Sequence, residues 1–167
     1  MDQFDIVFQC VTLLGLILGI VYANRQLKAT LNIHRANLIW NQKMATESYL
    51  ASRISNQTLF ELTRHFDCLK TCEPIPLAKI NQAFSDHSSL RESCHAYLNS
   101  FEGLARGIEA GIYSFDLVQH ARRGAILKAF VLFREYIDHM RRTHNPNAWL
   151  KFEALVNSLS KSTNTKA

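Results

Sequence analysis

The pattern of apolar and polar positions changes sharply after the first two dozen residues. From Ile6 to Ala23 the chain has 18 residues without a charge, and its few polar side chains lie near the N-terminal end of this run. A core helix of a water-soluble domain normally shows a polar face along its length. A helix that crosses a membrane needs about 20 mostly apolar residues. The pattern therefore predicts a transmembrane anchor over residues 1–25.

Two alternatives to a retained anchor are a cleaved signal peptide and a buried helix of a soluble domain. The sequence Val21-Tyr22-Ala23 resembles a cleavage site, but the preceding "MDQFD" is acidic, whereas secretory signals begin with basic residues. Within the run, Gly15 and Gly19 form a G-x-x-x-G motif, which lets two helix backbones approach closely. We therefore expect the anchor to be retained. The two glycines are a candidate surface for a homo-oligomer, and the alternative is that the motif occurs by chance, as it commonly does in membrane helices.

The charges that flank the apolar run predict its orientation. Arg25, Lys28 and Arg35 follow it, and no carboxylate occurs between Asn24 and Glu47. Basic flanks stay in the cytoplasm and are attracted to anionic lipid headgroups. We expect a single-pass protein of the cell inner membrane, with its N-terminus outside, its C-terminal domain in the cytoplasm and these three cations in contact with lipid.

Beyond the anchor, apolar residues recur at helical spacing, and few stretches alternate as a half-buried strand would. Six glycines and three prolines leave few turns. The predicted fold class is all-α, an N-terminal single transmembrane helix that continues into a cytoplasmic helical bundle. We expect a stalk helix over 26–55, a helical domain over 56–158 and a flexible tail over 159–167.

Caps and prolines divide the predicted domain into helices. We expect a helix from Asn56 to the prolines at 74 and 76, followed by helices over 77–84, 90–110, 114–118 and 124–140 and a closing helix capped by Asn145. Ser89 and Glu92 match a capping box, and Ser114 is a second N-cap. Gly111 is expected to end a helix.

The net charge of the chain indicates which classes of binding partner it favours. The formal charge is +5, and the part after residue 23 holds all 19 Lys and Arg but only 12 of the 14 Asp and Glu. A basic body favours anionic neighbours, although it lacks the dense Lys/Arg run of a dedicated nucleic-acid binder. A candidate patch for a phosphorylated ligand, nucleotide or RNA consists of Arg122, Arg123, Arg134, Arg141 and Arg142. The alternative is that these cations are solvated or complement helix dipoles.

Cysteines and histidines offer a weak candidate for zinc. His65, Cys68 and Cys72 share one face if this segment is helical, and Cys94 and His95 follow later. Structural zinc sites normally use closely spaced cysteine pairs, and no second close pair is present. The simpler interpretation treats these cysteines as small hydrophobic residues. His120, His139 and His144 each lack a partner at ligand spacing, so we expect no metal and no cofactor.

Catalytic signatures are missing from the sequence. It contains no nucleophile elbow, phosphate loop or H-E-x-x-H motif, and Gly103, Gly107 and Gly111 follow no nucleotide-binding pattern. Gly103 and Gly107 are better explained by close helix packing. We expect a protein that is not an enzyme.

A family resemblance rests on two segments, "YLNSFEGLARGIEAGIYSFDLV" and "NPNAWLKFEAL". The shared pattern is Leu98-Asn99, Phe101-Glu102, Gly107 and Gly111, an Arg-containing central helix, and then Trp149, Phe152, Glu153 and Leu155. The chain resembles an uncharacterised bacterial family, domain of unknown function 4760. The resemblance implies an N-terminal membrane segment and a helical cytoplasmic body, and it implies no activity.

The leading functional hypothesis is a membrane-anchored cytoplasmic binding or scaffolding module without catalysis, whose partners are the lipid bilayer and a protein of unknown identity. The alternative is a membrane-associated sensor or effector, in antiviral defence for example, whose basic domain binds a phosphorylated or nucleotide signal. A nucleotide-binding screen distinguishes the two.

Overall fold

A computed structural model describes the backbone of residues 3–54, 61–62, 64–66 and 73–161, and the side chains of these residues from Thr12 onward. In these ranges the chain forms helices and turns and no strand, which confirms the all-α class. The helices discussed below are α1 (Gln3–Arg53), α2 (Leu77–Asp86), α3 (Ser88–Glu109), α4 (Phe115–Leu132), α5 (Arg134–Thr143) and α6 (Leu150–Lys161). The predicted cap Asn56 lies outside the described residues.

The chain divides into two compact units, Met1–Asn41 and Gln42–Ala167. The first unit consists of the N-terminal part of α1. Its apolar side chains are exposed: Leu13 exposes 63%, Leu18 67% and Ile20 57% of its surface. Burial within the protein therefore does not stabilise this part of the helix.

The membrane-spanning helix predicted from the sequence is not found in the structure. Among the residues that the structure describes, no helix is long and apolar enough to cross a membrane. The described apolar side chains run for 12 residues, from Thr12 to Ala23, before Arg25 and Lys28 follow. Such a run rises ~18 Å, against ~30 Å for the hydrocarbon core of a bilayer. The side chains of residues 1–11 lie outside the described part.

The last turns of α1 belong to the second unit. Thr46, Leu50 and Ile54, spaced four residues apart, are buried in it. The Thr46 hydroxyl accepts a hydrogen bond from the Ser114 amide at 2.8 Å, and the Tyr49 hydroxyl donates to the Ser100 carbonyl at 2.8 Å. The unit therefore includes chain from Gln42 onward, and the boundary predicted at 55/56 falls inside it.

Helix α3 lies at the centre of the second unit because its apolar residues recur at three- and four-residue spacing. Leu90, Cys94, Leu98 and Phe101 are all buried on this side. Helix α6 packs on α3 and α4, and α2 packs on α3 and α5. The Phe101 and Phe152 rings stack at 4.9 Å between α3 and α6, so the core is largely built around one helix.

Two predicted caps have opposite outcomes. Ser114 is the N-cap of α4, where its hydroxyl accepts from the Leu117 amide at 3.4 Å, as predicted. The capping box at Ser89 is wrong, because α2 ends at Asp86 and α3 already begins at Ser88, with His87 as the shared cap residue. Gly111 has the positive φ of 71° expected of a residue that ends a helix.

The boundaries of the later helices differ from prediction. Helix α4 continues through Gly124 to Leu132, and the predicted helix over 124–140 is interrupted at Phe133, whose ring is buried where α4 and α5 meet. Helix α6 begins five residues after Asn145, because the Asn145 side chain accepts from the Asn147 amide in a turn and Trp149 has a φ of 53°. It ends at Lys161, so residues 159–161 of the predicted tail are helical.

Candidate functional site

A cleft in the second unit is lined by residues from three helices and the segment after α5. Its volume is ≈ 220 Å³. The lining residues are Asn81, Phe84, Arg91, His95, Tyr136, His139, Met140 and His144. We refer to this site as the histidine cleft.

Helical spacing explains why these side chains converge. Asn81 and Phe84 are three residues apart on α2, Arg91 and His95 are four apart on α3, and Tyr136, His139 and Met140 lie within one turn of α5. Each helix therefore presents one short polar and aromatic face. Because α2 packs on both α3 and α5, the three faces meet at one place.

A hydrogen bond between His95 and Tyr136 forms the inner wall of the cleft. The His95 Nε2 and Tyr136 hydroxyl oxygen are 2.5 Å apart. The Tyr136 ring lies edge-on to Phe84 at 5.4 Å, and the His95 ring lies edge-on to Trp149 at 5.7 Å. The Trp149 indole donates to the Asn99 side-chain oxygen at 2.9 Å, so its position is fixed by α3.

Burial and positive charge change the acidity of this pair. Burial, with Arg91 and His144 nearby, lowers the pKa of His95 below its usual value. Burial raises the pKa of Tyr136 to about 12, although Arg91 opposes this shift. At neutral pH the pair is therefore an uncharged imidazole bonded to a phenol.

The outer wall of the cleft is cationic and aromatic. The Arg91 guanidinium lies 5.7 Å from the centroid of the Phe84 ring, a cation–π distance. The His139 and His144 rings are 6.4 Å apart, and His144 Nδ1 lies 2.6 Å from the Thr143 hydroxyl. No carboxylate occurs among the residues that line the cleft.

Nothing in the cleft is an activated nucleophile. The adjacent Cys94 is fully buried in the core as a free thiol, and burial raises its pKa to about 12. A thiol that stays protonated is a poor nucleophile and a poor metal ligand. Across the described ranges, no three His, Cys, Asp or Glu side chains are grouped so that they could hold a metal ion.

Among the described residues, the side chains considered as zinc ligands do not lie together. Cys68 and Cys72 lie outside the described residues. His65 faces His87 at 5.3 Å between ring centroids, whereas His95 lines the histidine cleft. His139 and His144, which lack partners at ligand spacing in the sequence, lie near each other in the fold and line the same cleft as His95.

The predicted basic patch is largely engaged by the protein's own acceptors. Arg123 donates to the Leu159 carbonyl at 3.1 Å. Arg134 and Arg141 both pair with Glu153, at 3.5 Å and 2.6 Å. Arg122 is half-buried on α4 and Arg142 is exposed on α5. A shared anionic ligand for these five cations stays a prediction.

The residues predicted to contact lipid or a second copy all lie on α1 in the first unit. Arg25, Lys28 and Arg35 are exposed, and their spacing of three and seven residues places them on one side of the helix. A Cβ added at Gly15 or Gly19 would meet nothing within 4 Å, so both backbones are open to a neighbour.

The residues behind the family resemblance hold α6 against α3. Asn99 accepts from Trp149, and the Glu102 carboxylate accepts from the Phe152 amide at 2.8 Å. Glu153 binds Arg141, and Gly107 leaves room for the Tyr113 ring, whose nearest carbon would lie 2.1 Å from an added Cβ. The motif is therefore structural.

The sequence could not identify the histidine cleft. Arg91 and Tyr136 carried no sequence signal, because an Arg or Tyr on an amphipathic helix is ordinary. The available hint was the four-residue spacing of Arg91 and His95 on α3. Its partners on α2 and α5 become neighbours only when the helices pack.

Comparison with known proteins identifies the chain by family alone. No curated protein and no solved structure matches it. The family described as "Domain of unknown function (DUF4760)" matches residues 9–159, which cover most of both units. A match over this much of the sequence shows that the chain belongs to the DUF4760 family.

Proposed function

We propose that this protein is a helical binding or scaffolding module that is attached to a lipid membrane by its N-terminal segment. The observation that carries the proposal is the exposure of apolar side chains over about two thirds of the circumference of α1 between Leu13 and Tyr22. Side chains of this kind gain roughly 1.5–3 kcal/mol each when they are transferred out of water. An occupant must therefore cover them.

A lipid bilayer fits this surface better than a protein groove does. A groove covers one side of a helix, whereas the exposed apolar side chains between Leu13 and Tyr22 spread over roughly 240° of the helix surface at ~100° per residue. The sequence from Ile6 to Val11 extends the uncharged run to 18 residues, near the length that spans a bilayer. This support comes from the sequence, because no spanning helix is found among the described residues.

The cations that follow the run support the proposed orientation. Arg25, Lys28 and Arg35 share one side of α1, and each contributes about 1 kcal/mol when it lies near an anionic leaflet. By the positive-inside rule the second unit lies on the cytoplasmic side of the inner membrane. Gly15 and Gly19 then form the surface through which two anchors associate.

The proposal is tested by extraction of the full chain from cell membranes. We expect the protein to stay with the membrane after alkaline carbonate and to be released by detergent. A Leu16→Glu, Ile17→Glu double variant is expected in the soluble fraction, because two carboxylates within the apolar run are costly in lipid. The matched control, Leu31→Glu, Ile33→Glu, makes the same change beyond the run and is expected to leave attachment intact.

Recovery of the wild-type chain in the soluble fraction after simple lysis contradicts the proposal. So does release by carbonate without detergent, which would indicate a protein partner on α1. Protease protection of a C-terminal tag in intact cells, compared with permeabilised cells, tests the orientation. A tag digested from outside the cell reverses it.

The module is proposed as a binder because its described chemistry lacks an activated nucleophile or a metal-ligand group. No observation specifically favours a sensor that uses the predicted arginine patch, since Arg123, Arg134 and Arg141 already bind acceptors within the protein.

A further inference from the structure

We propose that the histidine cleft binds a small tetrahedral oxyanion, the phosphate or sulfate group of a ligand, through Arg91 and the imidazoles of His139 and His144. This site differs from the arginine patch predicted from the sequence, and it goes beyond the proposed attachment to lipid. It lies within the second unit and needs no contribution from the first.

The charged groups that line the histidine cleft favour an anionic ligand over a cationic one. The groups that can carry charge are Arg91 and His95 from α3, Tyr136 and His139 from α5, and His144 after α5. Helix α2 contributes Asn81 and Phe84, which carry none. Tyr136 stays neutral because its pKa is raised, so every ionised lining group near neutral pH is a cation.

Arg91 is held in a position that suits oxyanion binding. Its guanidinium lies near the face of the Phe84 ring. No carboxylate pairs with it in the part of the chain that the structure describes. A guanidinium offers five N–H donors in one plane, a geometry that matches two oxygens of a phosphate or sulfate group.

The electrostatic coupling within the cleft shows that its cations act at one place. Both Arg91 and His144 lower the pKa of His95, so their fields reach the same ring from α3 and from the segment after α5. An anion placed between them relieves this repulsion. The His95–Tyr136 hydrogen bond holds the inner wall fixed while the outer groups bind.

The size of the cleft limits the ligand to a small one. Its volume of ≈ 220 Å³ is far above the ~10–15 Å³ that a single water requires. Pockets that bind drug-sized ligands and cofactors have volumes of ~300–1,000 Å³. The cleft therefore suits an inorganic oxyanion or a small phosphomonoester, and not a nucleic acid strand.

Calorimetric titration of the full chain in detergent with inorganic sulfate tests the inference. We expect saturable binding by the wild type and a loss of affinity of at least about tenfold in Arg91→Gln, because one charge-assisted pair is lost. The control is Arg142→Gln, which removes the same charge from an exposed site on α5 that does not line the cleft. It is expected to bind as the wild type does.

The two histidines of the outer wall provide a second readout that a structural role of Arg91 would not reproduce. We expect sulfate affinity to fall in the His139→Gln, His144→Gln double variant, because the imidazoles that contact the oxyanion are lost. Inorganic phosphate and glycerol phosphate, compared at one pH, distinguish a free ion from a phosphomonoester as the natural ligand.

Three results overturn the inference. They are no sulfate, phosphate or glycerol phosphate binding by the wild type, equal losses in Arg91→Gln and Arg142→Gln, and undiminished sulfate affinity in the His139→Gln, His144→Gln double variant. If Arg91→Gln fails to fold by circular dichroism, Arg91→Lys replaces it. Lys keeps the charge but loses the paired donors, and undiminished binding by that variant also contradicts the proposed geometry.

Discussion

Two tyrosines in the second unit differ in the hydrogen bonding of their hydroxyl groups. The Tyr49 hydroxyl donates to the Ser100 carbonyl at 2.8 Å. The Tyr97 hydroxyl, in a side chain with 2% exposure, has no hydrogen-bond partner among the described residues. Burial raises the pKa of Tyr97, so the hydroxyl keeps its proton and stays an unused donor. Only Tyr49 gains stability from its oxygen.

This difference predicts opposite responses to the same substitution. We expect Tyr97→Phe to leave the free energy of unfolding unchanged or to raise it by up to ~1 kcal/mol, because it removes an unsatisfied buried group. Tyr49→Phe, the control, is expected to lose ~1 kcal/mol. Urea unfolding of the full chain in detergent measures both. A clear loss in Tyr97→Phe would reveal a partner for its hydroxyl.

At the scale of elements, the start of α6 is fixed by residues outside that helix. Glu102 on α3 accepts from the Phe152 amide, 50 residues away in sequence. Arg141 on α5 donates to the carbonyls of Ala148 and Trp149 and pairs with Glu153. The strained φ of 53° at Trp149 is held between these contacts. Local capping rules applied to Asn145 could not find this start.

Neighbouring arginines on α5 therefore have different effects on stability. Arg141→Ala is expected to lower the free energy of unfolding by about 2 kcal/mol, since it removes hydrogen bonds to two carbonyls and the closer of the two arginine partners of Glu153. Arg142→Ala, at an exposed position, is expected to change it by less than about 0.5 kcal/mol. Denaturant unfolding compares the two variants directly. Equal losses would mean that charge, and not the α5–α6 contact, is responsible.

Some helix ends and caps could be predicted from the sequence, and others could not. The end of α1, the cap at Ser114 and the positive φ at Gly111 were predictable, because each depends on neighbouring residues. The break at Phe133 was not, because it follows from packing of a buried ring between α4 and α5. The capping box at Ser89 failed because the preceding helix leaves no loop before it.

At the scale of the whole molecule, the spacing of apolar residues predicted the all-α class. The same spacing could not locate the histidine cleft. The histidine cleft depends on which faces of α2, α3 and α5 meet, and this is decided by tertiary packing. The second unit extends further towards the N-terminus than the helical domain predicted over 56–158. Its first residues lie in α1, where Gln42 donates to the Gly111 carbonyl at 2.6 Å.

Stability of the second unit is expected to depend on pH through His95. Its pKa is lowered in the folded state, so the unfolded chain binds a proton more readily. This contribution to stability is present above the unfolded pKa of about 6.5 and is lost as pH falls below it. Thermal unfolding from pH 8 to pH 5, in chloride without sulfate or phosphate, measures the loss. His95→Gln should show a smaller decline, and an unchanged pH profile would assign it to other groups.

The chain holds two tryptophans, and each lies in a different unit. Trp40 in the first unit exposes 63% of its surface, whereas Trp149 in the second exposes 6% and contacts the His95 ring. Their fluorescence should differ in wavelength, because one indole is in water and the other is shielded. A protonated imidazole quenches a neighbouring indole, so Trp149 emission reports the charge of His95. The protein thus contains its own optical probe of the cleft, readable without a label.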